Sequence, residues 1–133
     1  MHAEPTVQMY MARVLQTIEA GESLKKAEEV MSKQGIRHLP VLQKGVVVGV
    51  LSDRDIKLAG SIMGNESAKL PVIDVCTGNP YTVEPEAPLQ EVAKTMADKH
   101  YGCVLVLENK KLVGIFTTVD ACRVLADLIG VRF

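Results

Sequence analysis

Two short stretches carry residue types that could do chemistry. Gly49-Val50-Leu51-Ser52-Asp53-Arg54-Asp55 and Gly114-Ile115-Phe116-Thr117-Thr118-Val119-Asp120 both read Gly-apolar-x-Ser/Thr-x-x-Asp. Each follows an apolar, β-branched run and precedes a helical pattern. The hydroxyl therefore falls at a helix N-cap and the carboxylate in the first turn. Backbone amides at a helix start can hold an anion. A carboxylate there can accept two hydrogen bonds from vicinal hydroxyls, such as the diol of a ribose. The same spacing also serves a purely local purpose, since Ser/Thr-x-x-Asp is a variant of the capping box. One copy would read as a cap. Two copies, each after a strand glycine that must have a reason to be there, favour a pair of ligand-facing junctions.

The junctions belong to a longer repeat. At an offset of 65 positions, 7–59 aligns with 72–124 without a gap, and Val7/Val72, Leu24/Leu89, Met31/Met96, Val41/Val106, Gly49/Gly114 and Asp55/Asp120 are among the identical pairs. A unit of this length cannot bury its apolar face alone, so two copies imply a pseudo-symmetric body with a seam, a natural place for small ligands. Each copy starts with a short extended piece, Gln16-Thr17-Ile18 or Tyr81-Thr82-Val83. A helix follows, with Ser23 as N-cap, Leu24, Ala27 and Met31 as apolar stripe and Gly35 as left-handed stop. In the second copy Pro88 suits the first turn, and Leu89, Val92 and Met96 make the stripe. Two apolar runs then read as a hairpin, around Gln43-Lys44-Gly45 and Glu108–Lys110. A second helix starts after Ser52 or Thr117. Residues 60–71 read as the connection between copies.

Composition excludes several functions. The chain has 133 residues, 47% of them hydrophobic and 23% charged, and a net charge of −1. This describes a folded globule without the basic footprint that nucleic acid requires. No apolar run approaches membrane-spanning length, and the N-terminus lacks a signal-peptide pattern. Three cysteines, an odd number without Cys-x-x-Cys, suggest a reduced, cytoplasmic setting. His2, His38 and His100 show no metal-ligand spacing, and no nucleophile or phosphate-loop motif is present, so neither a metal site nor an enzyme is expected. His100 stands where Gly35 stands in the first copy, and interaction with a helix C-terminus accounts for it.

With Asp74-Val75-Cys76-Thr77 and Gly35-Ile36-Arg37-His38-Leu39-Pro40-Val41 upstream of the two junctions, the chain resembles a tandem CBS-domain protein, a pair often called a Bateman module. The resemblance covers about residues 7–125. It implies an α+β fold of two pseudo-symmetric β-α-β-β-α CBS repeats packed through their sheets, divided at 1–64 and 65–133 and commonly dimerised as a flat disc. It also implies up to two clefts between the repeats for adenosine-containing ligands: AMP, ADP, ATP, S-adenosylmethionine or NADH. Some members bind other ligands or none.

Carried over by position, Asp55 and Asp120 would hold ribose, and Ser52 and Thr117 would contact ribose or phosphate. Thr17 and Ile18, like Thr82 and Val83, would lie against the base. Leu39-Pro40 and Val104-Leu105 would wall the purine, with Tyr81 and Tyr101 the aromatic exceptions in an aliphatic pocket. Basic groups that reach phosphates occur in such proteins before the second strand or inside the junction. Here Arg37, His38 and Arg54 take those places, against Gly102, Cys103 and Val119 in the second copy. The expected arrangement puts ribose on Asp120 and directs phosphates to the basic residues of the other repeat.

The expectation is thus a non-enzymatic sensor, requiring no cofactor, that binds an adenosine nucleotide and passes its occupancy to an effector protein. A homodimer is expected from the apolar helical faces around Ile56, Leu58, Ile62 and Met63, and around Val124, Leu125, Leu128 and Ile129. With six residues before the repeat and nine after it, no effector domain is expected within this sequence. The rival expectation is a structural or interaction dimer with no physiological nucleotide.

Overall fold

The computed structural model describes residues 4–14 and 16–132. The chain forms two compact units: one lies between Val14 and Pro80, and the other combines the segment up to Val14 with the chain from Tyr81 onward.

In the first of these units the elements are β1 (Ile18–Glu19), α1 (Leu24–Gln34), β2 (His38–Gln43), β3 (Val46–Ser52), α2 (Asp53–Met63) and β4 (Thr77–Gly78), with 3-10 turns at Gly64–Lys69 and Val72–Asp74. The sheet order is β1-β2-β3-β4, with β1 parallel to β2 and the other pairs antiparallel. Ser23 caps α1 by accepting from the Lys26 amide at 3.1 Å, and Gly35 ends it at φ 66°. The second unit repeats the plan with β5 (Thr82–Val83), α3 (Leu89–Lys99), β6 (Cys103–Glu108), β7 (Lys111–Thr117) and α4 (Thr118–Arg132), in the order β5-β6-β7.

The twofold strand-helix-strand-strand-helix pattern is as the sequence implies, with local differences. Pro88 is the N-cap of α3, not a first-turn residue. His100 occupies the left-handed position that Gly35 fills in α1, at φ 60°. The hairpins close more tightly than expected. Gln43 and Glu108 are strand residues, leaving two-residue turns at Lys44-Gly45 and Asn109-Lys110 with both φ values positive, the geometry whose twist matches a hairpin. The connection at 60–71 is partly helical, since α2 runs to Met63.

The cores repeat position by position. Leu24, Ala27, Met31, Leu39, Val41 and Leu51 are buried in one unit, and Leu89, Val92, Met96, Val104, Val106 and Phe116 in the other. Both cores also contain a valine from outside the strand-helix repeat: Val72 in the first and Val7 in the second, both 0% exposed.

These valines reveal how the units are assembled. The segment around Val72 seats on the first unit through Leu24 N–H to Leu70 O (2.9 Å), Val72 N–H to Glu22 O (2.7 Å) and the pairing of Thr77 with Val50. The segment around Val7 seats on the second through Leu89 N–H to Pro5 O (2.9 Å), Val7 N–H to Ala87 O (2.9 Å) and the bridge between Ala12 and Ile115. Every partner is shifted by the repeat offset. The compact units and the sequence repeats are thus interleaved: the piece leading each sequence repeat seats on the sheet of the other unit.

This also explains the strand glycines. A Cβ at Gly49 would lie 2.7 Å from the Thr77 carbonyl oxygen and 2.8 Å from Cys76 Sγ, and one at Gly114 would collide with Met11. Both glycines admit the added segment, its backbone and Cys76 at Gly49 and the Met11 side chain at Gly114.

Candidate functional site

Each junction lies where the last residue of a strand becomes the first cap of a helix. In the first unit Ser52 ends β3 and caps α2. Its Oγ accepts from the Asp55 amide at 3.1 Å, and its own amide donates to Asp55 Oδ2 at 2.9 Å, a complete capping box. In the second unit the Thr117 amide and hydroxyl both donate to Asp120 Oδ2, at 2.9 and 3.1 Å, and the Asp120 amide donates back to Thr117 Oγ1 at 3.3 Å. Arg123 adds an ion pair to Asp120 Oδ1 at 3.5 Å. The capping interpretation is realised in both copies, and any ligand would engage carboxylates already held in place by their own helix starts.

The start of the preceding strand is fixed beside each junction. His38 pairs with Ser52, and Cys103 with Thr117. The Asp53 amide donates to Arg37 O at 3.0 Å, and the Thr118 amide to Gly102 O at 3.1 Å. The first unit thus collects Arg37, His38, Ser52, Asp53, Arg54 and Asp55 at one end of its sheet. Arg37 and Arg54 are exposed and form no ion pair among the described residues. His38 is half-buried, and desolvation pushes its pKa below the usual 6.5 even though Asp53 and Asp55 pull the other way. It is therefore mostly neutral at pH 7, and the positive charge at this junction belongs to the two arginines.

Other expected residues fall into two groups. Ile18, Leu39, Pro40 and Val104 are buried core residues. Their side chains are committed to the interior, and their backbones are what a ligand could meet. Thr17 is half-buried just before β1, Thr82 is exposed in β5, and Val83 is half-buried. In the second unit Tyr81 and Tyr101 pair with ring centroids 5.4 Å apart and planes 34° from parallel. Gln16 and Ile36 hold those positions in the first unit.

Sequence reasoning missed three contributors. Asp53 acts on His38 and pairs with Lys57 at 3.5 Å. Arg123 clasps Asp120, and its spacing three residues along a helix was a readable signal. The seated segments, with Cys76 and Met11 against the glycines, could be found only from the fold. A shallow groove of ≈ 420 Å³ between α1 and α2 includes Met31, Ile36, Arg37, Asp53 and Lys57 in its walls. Of the expected ligand-binding residues only Arg37 lines it.

The family model for the CBS domain matches residues 7–61 and 72–127. Inosine-5'-monophosphate dehydrogenase of Korarchaeum cryptofilum is 33% identical over 112 residues, 84% of this chain but only 22% of that enzyme's length. The AcuB protein of Vibrio cholerae is similar in structure, with a TM-score of 0.84 at 27% identity, covering 98% of this chain and 96% of that one. The CBS domain pair of protein MJ0100, solved in complex with 5'-methylthioadenosine and S-adenosyl-L-methionine, gives a TM-score of 0.84 at 24% identity, covering 94% and 98%.

Proposed function

The chain belongs to the CBS-domain family as a tandem pair, and from that premise we propose that it is a sensor whose strand-to-helix junctions bind an adenosine-containing ligand. A CBS pair is a regulatory rather than a catalytic device, and a ligand regulates only by binding its states unequally. The observation that carries the ligand class is the pair of preset carboxylates, Asp55 and Asp120, each held by a capping box directly after a closely packed strand glycine. Such a group can accept from a ribose diol without rearranging.

The ligand classes in this reading are AMP, ADP and ATP, with S-adenosylmethionine or NADH as further members. Arg37 and Arg54, at the first junction and without an ion pair among the described residues, suit phosphate groups. The tyrosine pair and the absence of an arginine at positions 102 and 119 suit an uncharged nucleoside moiety at the second. Thr17, Ser52, Thr82 and Thr117 supply hydroxyls around these anchors. An odd number of cysteines fits a reducing compartment such as the cytoplasm. No helix among the described residues is long and apolar enough to cross a membrane.

A second reading is a dimeric interaction module without physiological nucleotide. It is favoured by the exposed apolar residues Leu58, Ile62 and Met63 on α2 and Leu125, Leu128 and Ile129 on α4, and by the fact that both carboxylates already have partners. Calorimetric titration of AMP, ADP and ATP into wild type, Asp55→Ala and Asp120→Ala separates the two. Loss of a carboxylate that accepts ribose hydroxyls should cost about 1–3 kcal/mol, roughly one to two decades of affinity. Unchanged affinity in both variants removes the site assignment. No binding to wild type by these or by S-adenosylmethionine and NADH favours the interaction module.

A further inference from the structure

We propose that Arg123 is a specificity-determining residue of the second junction: its guanidinium stands on the part of Asp120 that a ribose diol needs, so it sets how strongly this junction prefers ribose to deoxyribose. The inference rests on the reading of Asp120 as a ribose acceptor and adds a competitor built into the same helix.

A carboxylate offers about four lone-pair sites, shared between its two oxygens. At Asp120 the cap fills one oxygen. Oδ2 accepts from the Thr117 amide at 2.9 Å and from the Thr117 hydroxyl at 3.1 Å. Both hydroxyls of a vicinal diol must then be received by Oδ1. That oxygen is ion-paired to Arg123 Nη1 at 3.5 Å, a contact preset by the spacing of three residues along α4. Two ribose hydroxyls compete with the guanidinium for Oδ1, whereas a single hydroxyl leaves room for it. The first junction differs on both counts. Asp55 Oδ2 accepts only the Ser52 amide, and Oδ1 has no partner among the described residues. The position equivalent to Arg123 is the uncharged Leu58. Asp55 can take a diol without displacing anything. At Asp120 the arginine is what moves. Its side chain is 76% exposed, against 13% for the carboxylate. The guanidinium turns into water while the cap holds the acceptor still. The competition is therefore worth one exposed ion pair, a factor of about two to five in affinity.

Calorimetric titration of adenosine and 2'-deoxyadenosine into the full-length chain tests this, with Asp55→Ala in every protein so that the second junction alone is read. Arg123→Leu copies Leu58 and should strengthen adenosine about two- to fivefold while leaving 2'-deoxyadenosine unchanged. Salt gives a second measurement that keeps the arginine. Raising NaCl from about 50 mM to about 500 mM screens the exposed pair, so adenosine should bind more tightly with Arg123 present and equally at both concentrations in Arg123→Leu. Asp120→Ala should weaken adenosine in the same background. Equal gains for the two nucleosides in Arg123→Leu, or no gain for either, overturn the competition, as does adenosine affinity that ignores salt when Arg123 is present. Adenosine binding that Asp120→Ala leaves unchanged, or that is absent throughout, shows that the ribose reading itself has failed, and the role of Arg123 falls with it.

Discussion

The two junctions share a backbone plan and differ in what surrounds it. Ser52 and Asp55 sit among Arg37, His38, Asp53, Arg54 and Lys57, whereas Thr117 and Asp120 sit among Gly102, Cys103, Thr118, Val119 and Cys122. Asp55 receives one backbone amide from its cap. Asp120 receives an amide, a hydroxyl and the Arg123 guanidinium. Duplication kept the part that folds, a strand glycine and a capping box, and let the charge diverge. The difference teaches that the shared motif is first a folding device, on which unequal binding properties can be built.

The largest difference between the units should come from their glycines. The obstacle to a Cβ at Gly49 includes the Thr77 carbonyl, which is backbone and paired into the sheet. At Gly114 the obstacle is only the Met11 side chain, which can turn away. Gly49→Ala should destabilise by about 2–3 kcal/mol and Gly114→Ala by about 1 kcal/mol, within the usual range for overpacking. Urea denaturation of the two variants measures this, and equal losses would remove the contrast between a rigid and a yielding seat.

The caps should differ by less. Asp120→Ala removes the acceptor of two donors from Thr117 and strands Arg123, an exposed partner that contributes little. Asp55→Ala removes one reciprocal bond. Cap losses fall at about 0.5–2 kcal/mol, so the expected costs are about 1–2 kcal/mol for Asp120→Ala and about 1 kcal/mol for Asp55→Ala. Thermal denaturation would sharpen the comparison. A larger loss at Asp55 would mean that its charged surroundings, not its cap, dominate. If ligand binding is then measured, Arg54→Ala should weaken ATP more than AMP, because it removes a phosphate partner and leaves the ribose acceptor in place.

The fold was legible because its periodic signals were local. Leu24, Ala27 and Met31 lie at helical spacing, Gly35 stops the helix, and the hairpins are bounded by turn residues, so each element could be placed from its own residues. What the sequence hid was non-local. Val7 and Val72 read as the opening residues of their own repeats, yet each is buried in the core of the unit that holds the rest of the other repeat. Nothing in local periodicity states which sheet an added segment joins. Gly49 and Gly114 did carry the signal of a close approach, without naming Cys76 or Met11 as what approaches. The candidate site was legible in the same uneven way. The junction hydroxyls and carboxylates were recognisable by spacing, whereas the burial of Leu39 and Val104 follows from which face of each strand meets the helices, which alternation alone leaves undecided in a continuous apolar run.

The smallest predicted effect is the pH response, and it should be confined to one unit. His38 has its pKa lowered mainly by burial, while its counterpart Cys103 has no imidazole. Below about 6.5 the unfolded chain takes up a proton at His38 that the folded chain resists. The unfolded state then binds more protons, and stability falls as pH falls. The contribution is complete above the ordinary histidine pKa and is lost progressively beneath it, over the window between that value and the lowered one. His38→Gln keeps a polar side chain and removes the titration. The wild-type Tm should drop more than the variant's between pH 7.5 and 5.5, as thermal melts at the two pH values would show. Parallel curves for the two proteins would mean that His38 protonates as easily folded as unfolded, and that the first junction carries imidazolium as well as guanidinium charge. A steeper fall in the variant would reverse the sign and show that Asp53 and Asp55 outweigh burial at this position.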